Sequence, residues 1–181
     1  LDDGFQSLYI KKNKDVVLID TSINIKKYKL LPLGFLREKL HALQRADITI
    51  FINKGIVNRV SKKTIINILK KLDTPYLDVD FIPTLYAYNY KNQQLYKYTK
   101  KIKGEVVAIC GIGNPRPFLK LVQEYSPQGF DQLILKDHDN YQKKGGQIQK
   151  FITRRGRPSV ITTYKDYVKL IRLPFIKNKQ C

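Results

Sequence analysis

Residues 106–115 read VVAICGIGNP, an apolar run that stops at a glycine turn. The run from Val106 to Cys110 is short and continuously apolar, which is typical of a strand buried on both faces. Asn114 suits the N-cap of a helix, and Pro115 suits its first position. Strand, turn and helix therefore follow one another here, and that succession predicts an α/β protein with a mainly parallel sheet.

The same glycine turn is a candidate phosphate site, because backbone N–H groups before a helix can hold an anion. Its spacing matches neither the dinucleotide fingerprint nor the phosphate loop Gly-x-x-x-x-Gly-Lys-Ser/Thr, which occurs nowhere in the chain. Tight packing explains the glycines as well as a ligand does.

Short apolar runs and helical periods alternate on both sides of this turn. Buried strands are predicted at residues 16–19, 48–52, 133–135 and 160–161. Helices are predicted at residues 34–46, at 65–72 and after Pro115, and loops at residues 145–146 and 154–158.

Tyrosines alternate along residues 85–99, which predicts a two-stranded antiparallel ribbon. Cross-strand aromatic pairs stabilise such a ribbon without a ligand. Tyrosines beside lysines could also stack unpaired bases of RNA. The ribbon divides the chain into residues 1–82, a linker at 83–103, and a smaller α/β domain at 104–181.

The chain has 181 residues, a net charge of +19 and a pI near 9.9, so its partner should be anionic. Nucleic acid, a phosphorylated metabolite and an anionic membrane surface all meet that condition. Two cysteines exclude a disulfide scaffold and a cysteine-based zinc site.

Two acidic motifs are candidates for catalysis. Asp2 and Asp3 follow an apolar residue and precede Gly4, so they could bind Mg²⁺ at the end of a parallel strand or form an ordinary turn. His138 lies between Asp137 and Asp139 and could accept a proton with its tautomer fixed by a carboxylate. It could equally be a capped surface histidine.

Six motifs in order resemble the tetraacyldisaccharide 4'-kinases, the lipid A 4'-kinases of Gram-negative bacteria, from residue 1 to about residue 170. They are DDGFQ at 2–6, LPLGFLRE at 31–38, RAD at 45–47, GIGNP at 111–115, Asp137-His138 with Tyr141, and TTYKD at 162–166 followed by VKL at 168–170. The chain departs from the family pattern at Ser7, Lys39 and Tyr164, where the family usually has histidine, proline and glutamate.

The resemblance implies a P-loop kinase that uses ATP and Mg²⁺ to phosphorylate the 4'-hydroxyl of a tetraacyldisaccharide 1-phosphate at the cytoplasmic face of the inner membrane. It implies a partial P-loop kinase-like parallel-sheet domain joined by the ribbon to the smaller domain. Asp2 would bind the metal, Asp3 and His138 would be catalytic, and Arg37 would contact substrate. Asp3 and His138 are expected to face one cleft.

Two expectations complete this interpretation. Because the phosphate loop is missing, the chain is expected to be a piece of a longer protein and inactive by itself. The alternatives are a basic RNA- or DNA-binding module that uses the tyrosine and lysine ribbon, and a noncatalytic interaction remnant.

Overall fold

A computed structural model describes residues 4–137, 139–156 and 158–177. The fold is α/β, with parallel sheets and one small antiparallel ribbon, as the apolar runs predict. The chain forms two compact units, Leu1–Ile82 and Pro83–Cys181.

The first unit contains a three-stranded parallel sheet in the order β1-β2-β3. Its strands are β1 (Val16–Asp20), β2 (Ile48–Asn53) and β3 (Tyr76–Asp80). Helix α1 (Arg59–Lys71) joins β2 to β3, and Asn58 caps it by accepting a hydrogen bond from the Ser61 N–H at 3.0 Å. Phe51, Ile65 and Leu69 are almost completely buried between this helix and the sheet.

Two sequence predictions for the first unit need correction. The helix predicted at 34–46 is wrong, because the segment forms a tight loop followed by a short 3₁₀ helix, Leu40–Arg45. Phe35 and Leu36 donate their N–H groups to the carbonyls of Lys27 and Lys29, so they are not available for an α-helical turn. Strand β3 was not predicted, because two aspartates interrupt its apolar residues.

The second unit opens with the ribbon, which consists of β4 (Tyr86–Asn89) paired antiparallel with β5 (Gln94–Lys97). The predicted hairpin is therefore confirmed. Tyr88 packs against Tyr90 and Tyr167, with ring centroids 4.9 and 5.6 Å apart. These contacts within the unit account for part of the tyrosine row without a ligand.

The remaining strands form a parallel sheet in the order β7-β6-β8. They are β6 (Val106–Cys110), β7 (Asp131–Ile134) and β8 (Ser159–Thr162). The helices are α2 (Arg116–Tyr125), α3 (Gly145–Thr153), α4 (Tyr164–Leu170) and α5 (Pro174–Lys177).

The helices of the second unit cover both faces of its sheet. Val106 and Ala108 pack with Val122 of α2, whereas Val107 and Ile109 pack with Ile148 of α3. The chain therefore leaves β6 toward one face and leaves β7 toward the other. In parallel sheets, ligands bind at the carboxyl ends of neighbouring strands whose connections leave toward opposite faces.

Two local predictions in the second unit also change. Gly145 and Gly146 were predicted as loop residues, but they begin α3. Helix α2 begins at Arg116 with Pro115 at its N-cap, one residue later than predicted. Both differences lie at helix ends, where sequence signals are weakest.

Candidate active site

Two loops, residues 111–115 and 136–141, follow β6 and β7 at the carboxyl ends of these strands, where ligands of parallel sheets bind. These are the loops that carry the GIGNP and Asp-His motifs. Leu135 donates its backbone N–H to the Cys110 carbonyl at 2.8 Å, so the two loops leave the sheet side by side. The structure thus brings two sequence motifs to one edge of one sheet.

A buried carboxylate, Asp166 on α4, fixes the start of the first loop. Its Oδ2 accepts a hydrogen bond from the Gly111 N–H at 2.8 Å and another from the Thr163 hydroxyl at 2.8 Å. The same hydroxyl accepts the Asp166 N–H at 3.3 Å, which completes the N-cap of α4. Asp166 is 0% exposed, so these bonds compensate for the loss of its hydration.

Tyr141 locks the second loop against the first. A Cβ at Gly111 would lie 2.9 Å from the Tyr141 hydroxyl and 3.1 Å from the Lys136 carbonyl, so a larger residue there would displace Tyr141. The Tyr141 hydroxyl and Asp166 Oδ1 are buried, and neither makes a hydrogen bond of normal geometry within the described ranges. Burial, and then the neighbouring Asp166, raise the pKa of Tyr141.

Cys110 ends β6 directly beneath this cluster. Its side chain is 1% exposed. Burial, followed by the negative charge of Asp166, raises the pKa of the Cys110 thiol to about 11. The thiol is therefore protonated at neutral pH and serves as a packing group here, not as a nucleophile.

Helix α4 also ties down the second loop from outside. Lys165 forms an ion pair with Asp137 at 2.5 Å, and the Lys169 ammonium lies 4.9 Å from the centroid of the Tyr141 ring. One helix thereby contacts both loops, through Asp166 on one side and through its lysines on the other. The arrangement can hold the two loops in fixed positions relative to α4.

The sheet of the first unit also ends in polar residues. Asp20, at the end of β1, accepts hydrogen bonds from Ser22 and pairs with Lys54 at 3.1 Å. Although burial pushes its pKa upward, the bonds from Ser22 and the charge of Lys54 outweigh it and lower the pKa of Asp20. Asn53 donates to Asp80 at 2.7 Å across the ends of β2 and β3.

Arg37 is the predicted site residue whose surroundings the structure describes. It is exposed and follows Leu36, the last residue of a hydrogen-bonded loop in the first unit. The next residue, Glu38, forms an ion pair with Arg45 at 2.9 Å. Arg37 thus lies at the end of a hydrogen-bonded loop with its side chain exposed to solvent.

The other predicted site residues, Asp2, Asp3 and His138, lie outside the described residues. Sequence analysis missed Asp166 and Tyr141 as members of the site. A signal for Asp166 was present, because Thr163-x-x-Asp166 has the spacing of a helix-capping pair. Tyr141 stands in the family motif with Asp137-His138, but its contact with Gly111 depends on the approach of two loops and has no signal in the sequence.

Two further features bear on what the chain can bind. Across residues 4–137, 139–156 and 158–177, no cluster of three or more histidine, cysteine or acidic side chains could hold a metal ion. Over that same part of the chain, no helix has both the length and the apolarity to cross a bilayer.

Comparison with known proteins gives a consistent result. The family Tetraacyldisaccharide-1-P 4'-kinase matches residues 1–180. A tetraacyldisaccharide 4'-kinase of Halothermothrix orenii is 29% identical over 95% of this chain and 48% of its own length. The tetraacyldisaccharide 4'-kinase of Desulfotalea psychrophila is 31% identical over 94% of this chain and 49% of its own length. A probable mitochondrial tetraacyldisaccharide 4'-kinase of Arabidopsis thaliana is 24% identical over 92% of this chain and 44% of its own length. The chain spans about half the length of these relatives, and no solved structure matches it.

Proposed function

Because the chain belongs to the tetraacyldisaccharide-1-phosphate 4'-kinase family, we propose that it is part of an enzyme that phosphorylates the 4'-hydroxyl of a tetraacyldisaccharide 1-phosphate in lipid A biosynthesis. The match over residues 1–180 carries this proposal. The position of the GIGNP loop and the Asp-His loop after two neighbouring parallel strands supports it, since ligands of parallel sheets bind at the carboxyl ends of such strands. ATP, together with Mg²⁺, would supply the phosphoryl group, and a partial P-loop kinase-like arrangement would hold it.

The chain's own residues would act on the sugar hydroxyl. Asp3 and His138 would take up its proton while the oxygen forms a bond to the γ-phosphorus of ATP and the bond from that phosphorus to the β–γ bridging oxygen breaks, so that ADP leaves. Arg37 would hold an anionic group of the substrate. A base within hydrogen-bond reach of the hydroxyl is needed because a neutral hydroxyl is a weak nucleophile. The assignment of Asp2 to Mg²⁺ rests on its sequence motif, like those of Asp3 and His138.

The Asp166 network supports a role for the second loop in catalysis. Asp166 holds the first loop at Gly111, Lys165 of the same helix holds the second loop at Asp137, and Tyr141 of the second loop packs against Gly111. A loop with only a connecting role does not require this degree of support. We therefore expect residue 138 to be placed by its neighbours Asp137 and Asp139.

The proposed location follows from the proposed substrate. A tetraacylated disaccharide resides in a membrane, and a net charge of +19 favours approach to anionic lipid. We propose that the enzyme works as a peripheral protein at the cytoplasmic face of the inner membrane. The nucleic-acid alternative is not supported by the family match, and Tyr88 of the ribbon is already packed against two other tyrosines.

The decisive experiment measures phosphoryl transfer from ATP to the tetraacyldisaccharide 1-phosphate in the longer protein that contains this chain. His138→Ala should lower kcat far more than it raises KM, because the proton moves in the transition state. His41→Ala is the matched control, since His41 is the chain's other histidine and lies on the exposed 3₁₀ helix of the first unit. An unchanged kcat for His138→Ala would remove it from the mechanism.

A further inference from the structure

The loop of residues 30–36 in the first unit, here called the leucine loop, holds large apolar side chains in solvent. Leu31 is 60% exposed, Leu33 81% and Phe35 62%. Single exposed apolar residues are common on protein surfaces, but three within five positions of one loop form a patch. Such patches are typical of surfaces that bind another protein, a membrane or an apolar ligand.

The leucine loop is rigidly built, so its exposure is not a by-product of poor packing. Leu31 donates to the Leu36 carbonyl at 2.9 Å, and Leu33 donates to the Leu30 carbonyl at 3.0 Å. A Cβ at Gly34 would lie 2.4 Å from the Lys29 carbonyl and 2.5 Å from that of Lys27. The backbone therefore approaches residues 27–29 so closely that its apolar side chains must point away from the unit.

Four lysines flank the leucine loop in the sequence. Lys26, Lys27, Lys29 and Lys39 are all exposed, and the Lys27 ammonium lies 5.3 Å from the centroid of the Phe35 ring. Glu38 is the one acidic residue in the sequence from 26 to 39, and its charge is compensated by Arg45. An exposed apolar tip is thus flanked in the sequence by four exposed lysines, and one of them contacts Phe35.

This combination identifies the partner by its chemistry. Protein interfaces are depleted of lysine, whereas segments that bind anionic bilayers combine lysines with apolar side chains that enter the headgroup region. We infer that the leucine loop docks on an anionic membrane surface, with Leu31, Leu33 and Phe35 inserted and the lysines on the lipid phosphates. The inference rests on the proposed function only in expecting a lipid surface.

The test uses the 181-residue chain and sedimentation with vesicles of phosphatidylcholine, with or without phosphatidylglycerol. The unaltered chain should bind the anionic vesicles, and salt should weaken binding. Leu33→Ser with Phe35→Ser should lower the partition coefficient at least tenfold. Val60→Ser, which removes an apolar side chain that is 71% exposed on α1 of the same unit, should have little effect.

Charge is tested separately. A triple variant in which Gln replaces Lys26, Lys27 and Lys29 should bind anionic vesicles on the order of a hundredfold more weakly, because each lysine near such a surface contributes about 1 kcal/mol. The matched control changes Lys63, Lys70 and Lys71, exposed lysines of α1, to Gln. An equal loss in both triple variants would overturn the inference, because net charge alone would then explain binding.

Insertion can be observed directly, because the chain contains no tryptophan. The emission of Phe35→Trp should shift to shorter wavelength on anionic vesicles, and brominated lipids should quench it, whereas Val60→Trp should do neither. Circular dichroism verifies that each variant is folded. Unchanged emission at position 35, or binding lost with Tyr86→Ser and Tyr96→Ser on the ribbon instead, would overturn the inference.

Vesicle binding requires neither ATP nor turnover, so its failure is distinct from failure of the proposed function. That function is assayed separately, by phosphoryl transfer to detergent-dispersed acceptor in the longer protein.

Discussion

At the scale of single residues, Asp166 should contribute more to the stability of the second unit than aspartates usually do, because most aspartates are exposed. Asp166→Ala would leave the buried Gly111 N–H and the Thr163 hydroxyl without their acceptor. We expect a loss of about 2–5 kcal/mol in the free energy of unfolding, measured with urea, since each unsatisfied buried group costs about 1–3 kcal/mol. Asp131→Ala is the control, because Asp131 pairs with Arg155 near the surface and should contribute under about 1 kcal/mol. Equal losses would contradict the network.

Cys110 provides a prediction about pH. In the folded chain its pKa is about 11, whereas an unfolded thiol ionises near pH 8.5. The folded state therefore holds this proton more tightly, and its stabilising effect is complete below pH 8.5 and is lost as the pH rises toward 11. Between pH 7.5 and 10 the unaltered chain should lose about 1–2 kcal/mol more stability than Cys110→Ala, because every other group titrates in both proteins. If the free energies of unfolding of the two proteins change equally with pH, burial does not raise the pKa of the Cys110 thiol.

At the scale of elements, the sequence predicts the strands and the ribbon, which depend on local pattern. It does not predict structure that depends on contacts between distant segments of the chain. Continuous apolar runs located β1, β2 and β6, and the alternating tyrosines located the ribbon. The loop and 3₁₀ helix at 30–45 escaped prediction, because hydrogen bonds to residues 27–30 override its helical spacing. The cluster of Gly111, Tyr141 and Asp166 escaped for the same reason, as its members are up to 55 positions apart.

Two glycines make this contrast measurable. Gly34→Ala should destabilise the first unit by more than about 2 kcal/mol, because its Cβ would meet backbone atoms that cannot withdraw. Gly146→Ala should stabilise the second unit by roughly 0.5–1 kcal/mol, since it lies in α3 with open space around its Cβ and alanine favours a helix. Thermal unfolding should show opposite signs. A neutral Gly34→Ala would mean that the leucine loop is not tightly held.

At the scale of the whole molecule, the chain alone is predicted to have no kinase turnover. Its sequence contains no Gly-x-x-x-x-Gly-Lys-Ser/Thr, so it has no such loop to hold the β- and γ-phosphates of ATP. Radiolabelled ATP and the acceptor lipid measure this, and turnover above a no-protein control would contradict it. The same purification from cells that do not express the chain controls for a contaminating kinase.

The strand order β7-β6-β8 also affects how the second unit assembles. Val106 on β6 pairs with Ser159 on β8, whereas in the first unit each strand pairs with the next one in sequence. One edge of β6 therefore pairs with the last strand of the chain to be synthesised, and closing so long a segment is slow. Until β8 arrives, that edge is an apolar template for β6 of another molecule. Refolding yield of this chain should accordingly fall as protein concentration rises, with aggregates formed through the β8 position of the sheet.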